Sequence, residues 1–437
     1  MIRLIRALVT AALVAGLAWP ALAQDLDALA AAARANPRDA AAQTAYGRAL
    51  LQAERYREAD RVLRAALRLH GGSPQAAFDV ARVAFAQGDY RRSRAACRLL
   101  ERRHRGHVLT KVCRARAFLV WNRSGRAFEE LEAAARIDPD HFELLLALAD
   151  AHRLRADIDE AESAYRRAIA IDGSRPEPHY GLGLLYSSAG READALAELR
   201  AAHALDPTDP DINYQLGIRS EGDEARRLLE RAVQTRPRWA EALVALAEVE
   251  RTAGDLDAAR THYEAALELA PNLAAAHIGL GRVQIAQGEA EAGERSLRRA
   301  LELVPNSPEV ALQLGELYEN QGRRREAFEH YRRAADLAPA NPVGLLRAAA
   351  LALRLERDVL ATGFLDRYLR SKPEDPRALE LYGDAMMARG DRVAAQRYYE
   401  RALQGQGSID RQAVQQKLRR ARVRQQRRQL RRATVGN

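Results

Sequence analysis

Apolar positions in this chain recur at three- and four-residue intervals, the spacing of one helix face, and the whole pattern returns every 34 residues. Each repeat can be numbered so that a recurring Pro or Gly (Pro139, Gly173, Pro207, Pro237, Pro271, Pro305, Pro339, Pro373) stands at position 32. The repeat from Pro308 then carries Leu314, Gly315 and Tyr318 at positions 7, 8 and 11, and Ala327, Tyr331 and Ala334 at 20, 24 and 27. The repeat from Pro376 has Tyr382, Gly383, Met386, Ala395, Tyr399 and Ala402 in the same places, and that from Pro176 has Leu182, Gly183, Tyr186, Ala195, Leu199 and Ala202. Positions 7, 8 and 11 share one face of a first helix, and 20, 24 and 27 share one face of a second. Small residues at 8 and 20 let the two helices cross near the close end of the roughly 8–10 Å range. Glycine at 15 (Gly190, Gly322, Gly390) ends the first helix by tolerating a left-handed backbone, and proline at 32 prevents the second from continuing. The predicted element is a helical hairpin with one apolar face uncovered, which the next hairpin buries.

Eleven such repeats begin at Ala40, Pro74, Val108, Phe142, Pro176, Pro210, Ala240, Ala274, Pro308, Pro342 and Pro376. Those from Pro74 and Val108 fit least well, because Ser93 stands at a small-residue position and Arg105 replaces the proline. From Pro207 to Pro237 the step is 30 residues, which predicts a first helix clipped by one turn near Ile218 to Glu221. A lone helix over Asp25 to Ala35 leads the array. A trailing helix from Asp410 presents Ala413, Val414, Leu418 and Ala421 on one face, and beyond Val423 the Arg/Gln-rich tail is expected to fray.

The combination of L-G-x-x-Y, Gly, Ala, Tyr or Leu, Ala and Pro in register resembles the tetratricopeptide repeat, of the exported bacterial type, over nearly all of residues 40–409. The resemblance implies an all-α, right-handed superhelical solenoid of about eleven 34-residue helix-turn-helix repeats. It also implies a concave groove lined by first-helix positions 2, 5, 9, 12 and 13. Carried onto this chain, those positions include Arg48, Phe78, Arg82 and Phe85, then Arg116 and Leu119, in the early repeats. The middle repeats contribute Asp150, Arg153, Tyr180 and Leu184, and the late ones Glu248, Arg282, Glu316 and Glu319. On formal charge the groove is basic and apolar early, apolar in the middle and more acidic late. Family members that clamp a peptide's terminal carboxylate use Asn and Lys; position 9 here is never either, so that clamp is not reproduced.

Outside the repeats, Arg3 and Arg6 precede an apolar run from Ala7 to Trp19, and Ala21-Leu22-Ala23 forms an A-x-A cleavage pattern. The domain organisation expected is therefore a signal peptide over 1–23, a leading helix over 24–39, the repeat array over 40–409, and a capping helix with a basic tail over 410–437. The localisation expected is periplasmic or secreted after cleavage near Ala23. The formal net charge of +10 is unevenly spread. Residues 40–139 hold 20 basic and 10 acidic side chains, and the segment from Asp410 holds ten basic and one acidic. Its dense run is Arg419, Arg420, Arg422, Arg424, Arg427 and Arg428. The two cysteines, Cys97 and Cys113, fall on neighbouring helices of successive repeats. They are either a disulfide formed in an oxidising compartment or two small core residues.

Candidate chemistry is sparse. His104 and His107 sit in an Arg-rich turn without a carboxylate or thiol at ligand spacing, and no H-E-x-x-H, C-x-x-C or phosphate-loop motif occurs. Gly181 with Gly183, and Gly279 with Gly281, fall at positions 6 and 8 and read as packing glycines. No catalytic set, metal site or cofactor site is expected, so the chain reads as a non-enzyme. The function expected from the resemblance is an exported scaffold that takes a protein or peptide ligand in its groove and helps assemble a cell-envelope complex. The alternative is contact with an anionic membrane, glycan or polysaccharide through the basic N-terminal third and the tail. No nucleic-acid partner is expected.

Overall fold

The computed structural model describes residues 19–69 and 73–422. The signal-peptide expectation therefore lies mostly outside the described residues, as does the tail beyond Arg422. Among the described residues every regular element is a helix. The chain divides into two compact units, Met1–Arg238 and Trp239–Asn437.

In the first unit α1 (Trp19–Ala35) leads six hairpins. These are α2/α3 (Ala40–Gln52, Tyr56–Arg68), α4/α5 (Pro74–Ala86, Tyr90–Arg103), α6/α7 (Val108–Val120, Ser124–Ala135), α8/α9 (Phe142–Arg155, Ile158–Ile171), α10/α11 (Pro176–Ser188, Glu192–Leu205) and α12/α13 (Pro210–Gly217, Gly222–Thr235). The second unit holds α14/α15 (Ala240–Ala253, Leu256–Leu269), α16/α17 (Ala274–Ala286, Ala290–Leu303), α18/α19 (Pro308–Asn320, Arg324–Leu337), α20/α21 (Pro342–Arg354, Asp358–Ser371) and α22/α23 (Pro376–Ala388, Arg392–Gln404). A last helix over 411–422 buries Val414, Leu418 and Ala421 at the end of this stack. All eleven first helices begin at the residues that the periodicity predicts, and α12 is the clipped one.

Local chemistry sets these boundaries. Asp39, Ser73, Asp209, Ser307, Asn341 and Asp375 each accept a backbone N–H in the first turn of the helix they precede. His107 and His141 do the same through Nδ1, so His107 serves as a helix cap. Position 15 is left-handed in every full-length repeat. Six of these residues are glycine, while Glu54, Asn122, Ala156 and Glu356 hold the conformation without it.

Packing between hairpins follows two rules. Within a hairpin, position 24 lies over the small residue at position 8: a Cβ on Gly383 would meet the Tyr399 ring at 2.4 Å, and one on Gly183 would meet Leu199 at 2.7 Å. Between hairpins, the tyrosine at 24 of one repeat lies over glycine at 6 of the next. A Cβ on Gly181 would come within 2.3 Å of Tyr165, and one on Gly279 within 2.1 Å of Tyr263. The hydroxyls of these tyrosines turn back to donate to position 9, Tyr165 to Asp150 at 2.6 Å and Tyr263 to Glu248 at 2.7 Å. Each ring is therefore held at both ends and cannot swing away. Gly279→Ala is accordingly expected to cost about 2–3 kcal/mol by overpacking. Adding Tyr263→Leu should recover part of that loss in urea melts. A neutral Gly279→Ala would contradict the contact.

At the end of the first unit, Arg236 donates to Asp211 (3.0 Å) and to Glu54 (2.5 Å), a residue 182 positions earlier. This unit thus winds until its last helix reaches its first hairpin. Glu54 is one of the four strained residues at position 15, and its carboxylate makes this closure.

Candidate functional site

Inside the first unit the inward faces of the first helices enclose a cavity of about 520 Å³. Its floor is apolar, with Leu51, Phe78, Leu146 and Leu184, and its rim carries Arg82, Arg116, Arg153, Asp150 and Glu177. Nine of the groove candidates line it: Phe78, Arg82, Phe85, Arg116, Leu119, Asp150, Arg153, Tyr180 and Leu184. They converge because positions 5, 9 and 12 fall on one helix face and successive hairpins stack that face in register. Phe78 is buried and serves as floor, whereas Phe85 is about half exposed at the rim.

The rim is built on a buried ionic network that the sequence reading did not see. Glu143, on α8, is buried; its carboxylate lies 3.2 Å from Arg175, 3.4 Å from Arg116 and 3.7 Å from Arg82. Burial alone would raise its pKa, but the three guanidinium groups outweigh that and hold it at about 2. Glu177 lies 2.5 Å from Arg175 and 3.6 Å from Arg82. Fully buried Asp79 takes Arg48 at 3.3 Å and Arg82 at 3.5 Å. Arg48 therefore serves the network from outside the cavity lining. Asp150 accepts from Tyr165, whose hydroxyl also receives Arg153 Nε at 3.3 Å. Burial, followed by the Asp150 charge, raises the Tyr165 pKa, so that hydroxyl stays a neutral donor.

The disulfide alternative is the one present: Cys97 and Cys113 are bonded, with Cα atoms 5.6 Å apart, and they form part of the cavity wall. Cys97 is at position 24 and Cys113 at position 6 of the next repeat. The bond thus occupies the place that Tyr165 on Gly181 and Tyr263 on Gly279 fill elsewhere, between the two repeats whose sequences fit the pattern least well.

In the second unit the late acidic candidates are not free charge. Glu248 pairs with Arg251 at 2.5 Å, Arg282 with Glu309 at 2.5 Å, and Glu319 with Arg347 and Arg354 at 3.4 and 3.2 Å. Glu316 lies 3.8 Å from Arg347. The acidic character read from first helices alone is thus corrected, because the neutralising arginines come from the same helix or the next repeat. Of the basic run, Arg419 and Arg420 are exposed, Arg422 pairs with Glu400, and Arg424, Arg427 and Arg428 lie outside the described residues. Among the described residues no group of three or more His, Cys, Asp or Glu side chains could hold a metal, and no helix is long and apolar enough to cross a membrane.

Stacked helical hairpins around a partly apolar, charge-rimmed groove define a helical-repeat binding protein. Family models described as tetratricopeptide repeat match residues 47–107, 114–176, 155–210 and 219–274, others match 250–317 and 308–341, and the chain belongs to the tetratricopeptide repeat family. It is therefore a scaffold for protein–protein interaction, built on a fold typical of non-catalytic proteins. The cytochrome c-type biogenesis protein CycH of Bradyrhizobium diazoefficiens is 41% identical over 68 residues, covering 15% of this chain and 18% of that relative. The chain thus matches less than a fifth of that protein's length. Among solved structures, MamA is similar at 26% identity over 37% of this chain and 91% of its own, with a TM-score of 0.35. Yeast Tom70 is similar at 14% identity over 90% and 97%, with a TM-score of 0.41.

Proposed function

We propose that this protein is an exported adaptor that takes a peptide segment of a client protein into the first-unit cavity during assembly of a cell-envelope complex. The observation that carries the reading is the cavity itself. It offers an apolar floor for one or two large side chains, and a rim where Arg82, Arg116 and Arg153, already paired with carboxylates of this chain, can give further N–H groups to the client's backbone carbonyls. The ionic network and the disulfide hold this surface rigid before binding, which limits the ordering cost on association. Export is supported by the A-x-A pattern and by the use of both cysteines in a disulfide. A role in envelope assembly, in the setting of cytochrome c biogenesis, is supported by the local similarity to CycH.

The test is a photo-crosslinking residue at Phe85 in the native host, followed by identification of the adduct. Leu184→Glu, which places a charge on the apolar floor, should weaken capture of that client at least tenfold while leaving the melting curve unchanged. Undiminished capture by a folded Leu184→Glu protein would overturn the assignment of the cavity.

A further inference from the structure

The outer side of the second hairpin carries a charge pattern that neither the fold nor the cavity uses. Along α5, Arg91, Arg94, Arg98 and Arg102 follow one another at intervals of three, four and four residues, so they form one stripe. All four are exposed, and none makes an ion pair among the described residues. Arg92 on the same helix pairs with Asp60 at 2.9 Å, and Arg114 on the next helix pairs with Glu101 and Glu130. A row of like charges at helical spacing weakens its own helix, so packing gives no reason for it.

Two amphipathic rings flank the stripe. Tyr90, at the start of α5, is 48% exposed, and Trp121, in the turn after α6, is 41% exposed. The Arg94 guanidinium lies 5.4 Å from the centre of the Trp121 ring, which ties the stripe to the neighbouring turn. Exposed Arg123 extends the positive surface beyond it. These side chains belong to residues 40–139, the stretch in which basic residues outnumber acidic ones by 20 to 10.

We propose that this face of the first unit docks on an anionic phospholipid surface. Arginines that have no carboxylate partner meet the headgroup phosphates, and Tyr90 and Trp121 enter the headgroup layer with their polar edges toward water. Positive charge together with Trp and Tyr at a surface is the pattern that suits the membrane interface. A single-stranded nucleic acid also wants cations and aromatic faces, but it needs those faces open for stacking, and Arg94 already covers one side of Trp121. The inference does not rest on the peptide cavity, whose lining includes none of these residues, although the Tyr90 ring meets the rim residue Phe85 edge-on at 5.7 Å.

The experiment uses the chain released after residue 23. Vesicles of phosphatidylcholine containing phosphatidylglycerol are compared with vesicles of phosphatidylcholine alone, in a Trp239→Phe background so that Trp121 is the reporter. Expected are sedimentation with the phosphatidylglycerol vesicles only, and quenching of Trp121 fluorescence by brominated lipid. Each neutralised arginine of the stripe should weaken partition roughly fivefold. The variant R91Q/R94Q/R98Q/R102Q should therefore lose most binding while keeping its helical content and melting temperature. Equal partition onto neutral vesicles, unquenched Trp121, or wild-type partition by the folded quadruple variant would each overturn the proposal. So would retention on a single-stranded oligonucleotide with none on the vesicles.

Discussion

Glu143→Gln is expected to lower the stability of the first unit by about 3 kcal/mol at neutral pH. The carboxylate is buried and serves Arg82, Arg116 and Arg175 together, so its loss leaves Arg116 without a carboxylate and leaves Asp79 and Glu177 to balance Arg82 and Arg175. The arginines keep some contact with water, which places the cost at the lower end for breaking a buried pair. The effect has a definite pH signature. Glu143 holds its proton less tightly in the folded protein, at about 2, than in the unfolded chain, where the ordinary value is 4.5. Its contribution is therefore fully present above about pH 4.5 and is lost as the pH falls toward 2, and its size by linkage is again about 3 kcal/mol. Urea unfolding of wild type and variant should differ most at pH 7, less at pH 3 and little at pH 2. A difference that stays constant across that range would show that the variant acts through packing and not through the charge.

Opening the bond between Cys97 and Cys113 should cost a similar amount. The two residues are 16 apart in sequence, and a loop of that length corresponds to about 3 kcal/mol of restricted unfolded-chain entropy. The position matters as much as the loop. Cys97 and Cys113 stand where a large ring on a glycine locks other hairpins together, and the neighbouring Ser93 offers little apolar surface in compensation. Reduction should therefore lower the urea midpoint measured by circular dichroism, and Cys97→Ala with Cys113→Ala should lower it equally with or without reductant. An unchanged midpoint after reduction, with both thiols titrated, would mean that the contact between α5 and α6 holds without the covalent link.

Both results concern the region whose repeats match the pattern least well. There the chain departs from the consensus at Ser93 and Arg105, yet its helices start in register. The hairpin pattern tolerates such departures because each interface is short and can be closed in more than one way. Tyrosine on glycine and a disulfide occupy equivalent places in this molecule, position 24 of one repeat against position 6 of the next.

The candidate site was legible only in part. Positions 5, 9 and 12 brought nine residues to one cavity because they depend on helix periodicity, which is local. The ionic network was missed because its members lie one to three repeats apart. Arg116 meets Glu143, and Arg282 meets Glu309, at the same separation of 27 residues, position 9 to position 2 of the next repeat. Searching for opposite charges at that interval would have found both pairs. The position 15 residues show the opposite case. The glycines announce a left-handed turn, whereas Glu54, Asn122, Ala156 and Glu356 adopt it only because the flanking helices impose it.

Helix boundaries, repeat register, the clipped helix α12 and the packing role of Gly181 and Gly279 follow from sequence alone, since each depends on residues within one or two turns or within one repeat length. Tertiary structure alone decided that Cys97 reaches Cys113, that three arginines converge on Glu143, and that Arg236 closes on Glu54 from 182 residues away. The physical reason is that periodicity states which side of a helix is buried. How far the stack winds, and therefore which distant charges meet, is the sum of small rotations at each hairpin interface, and no single repeat encodes that sum.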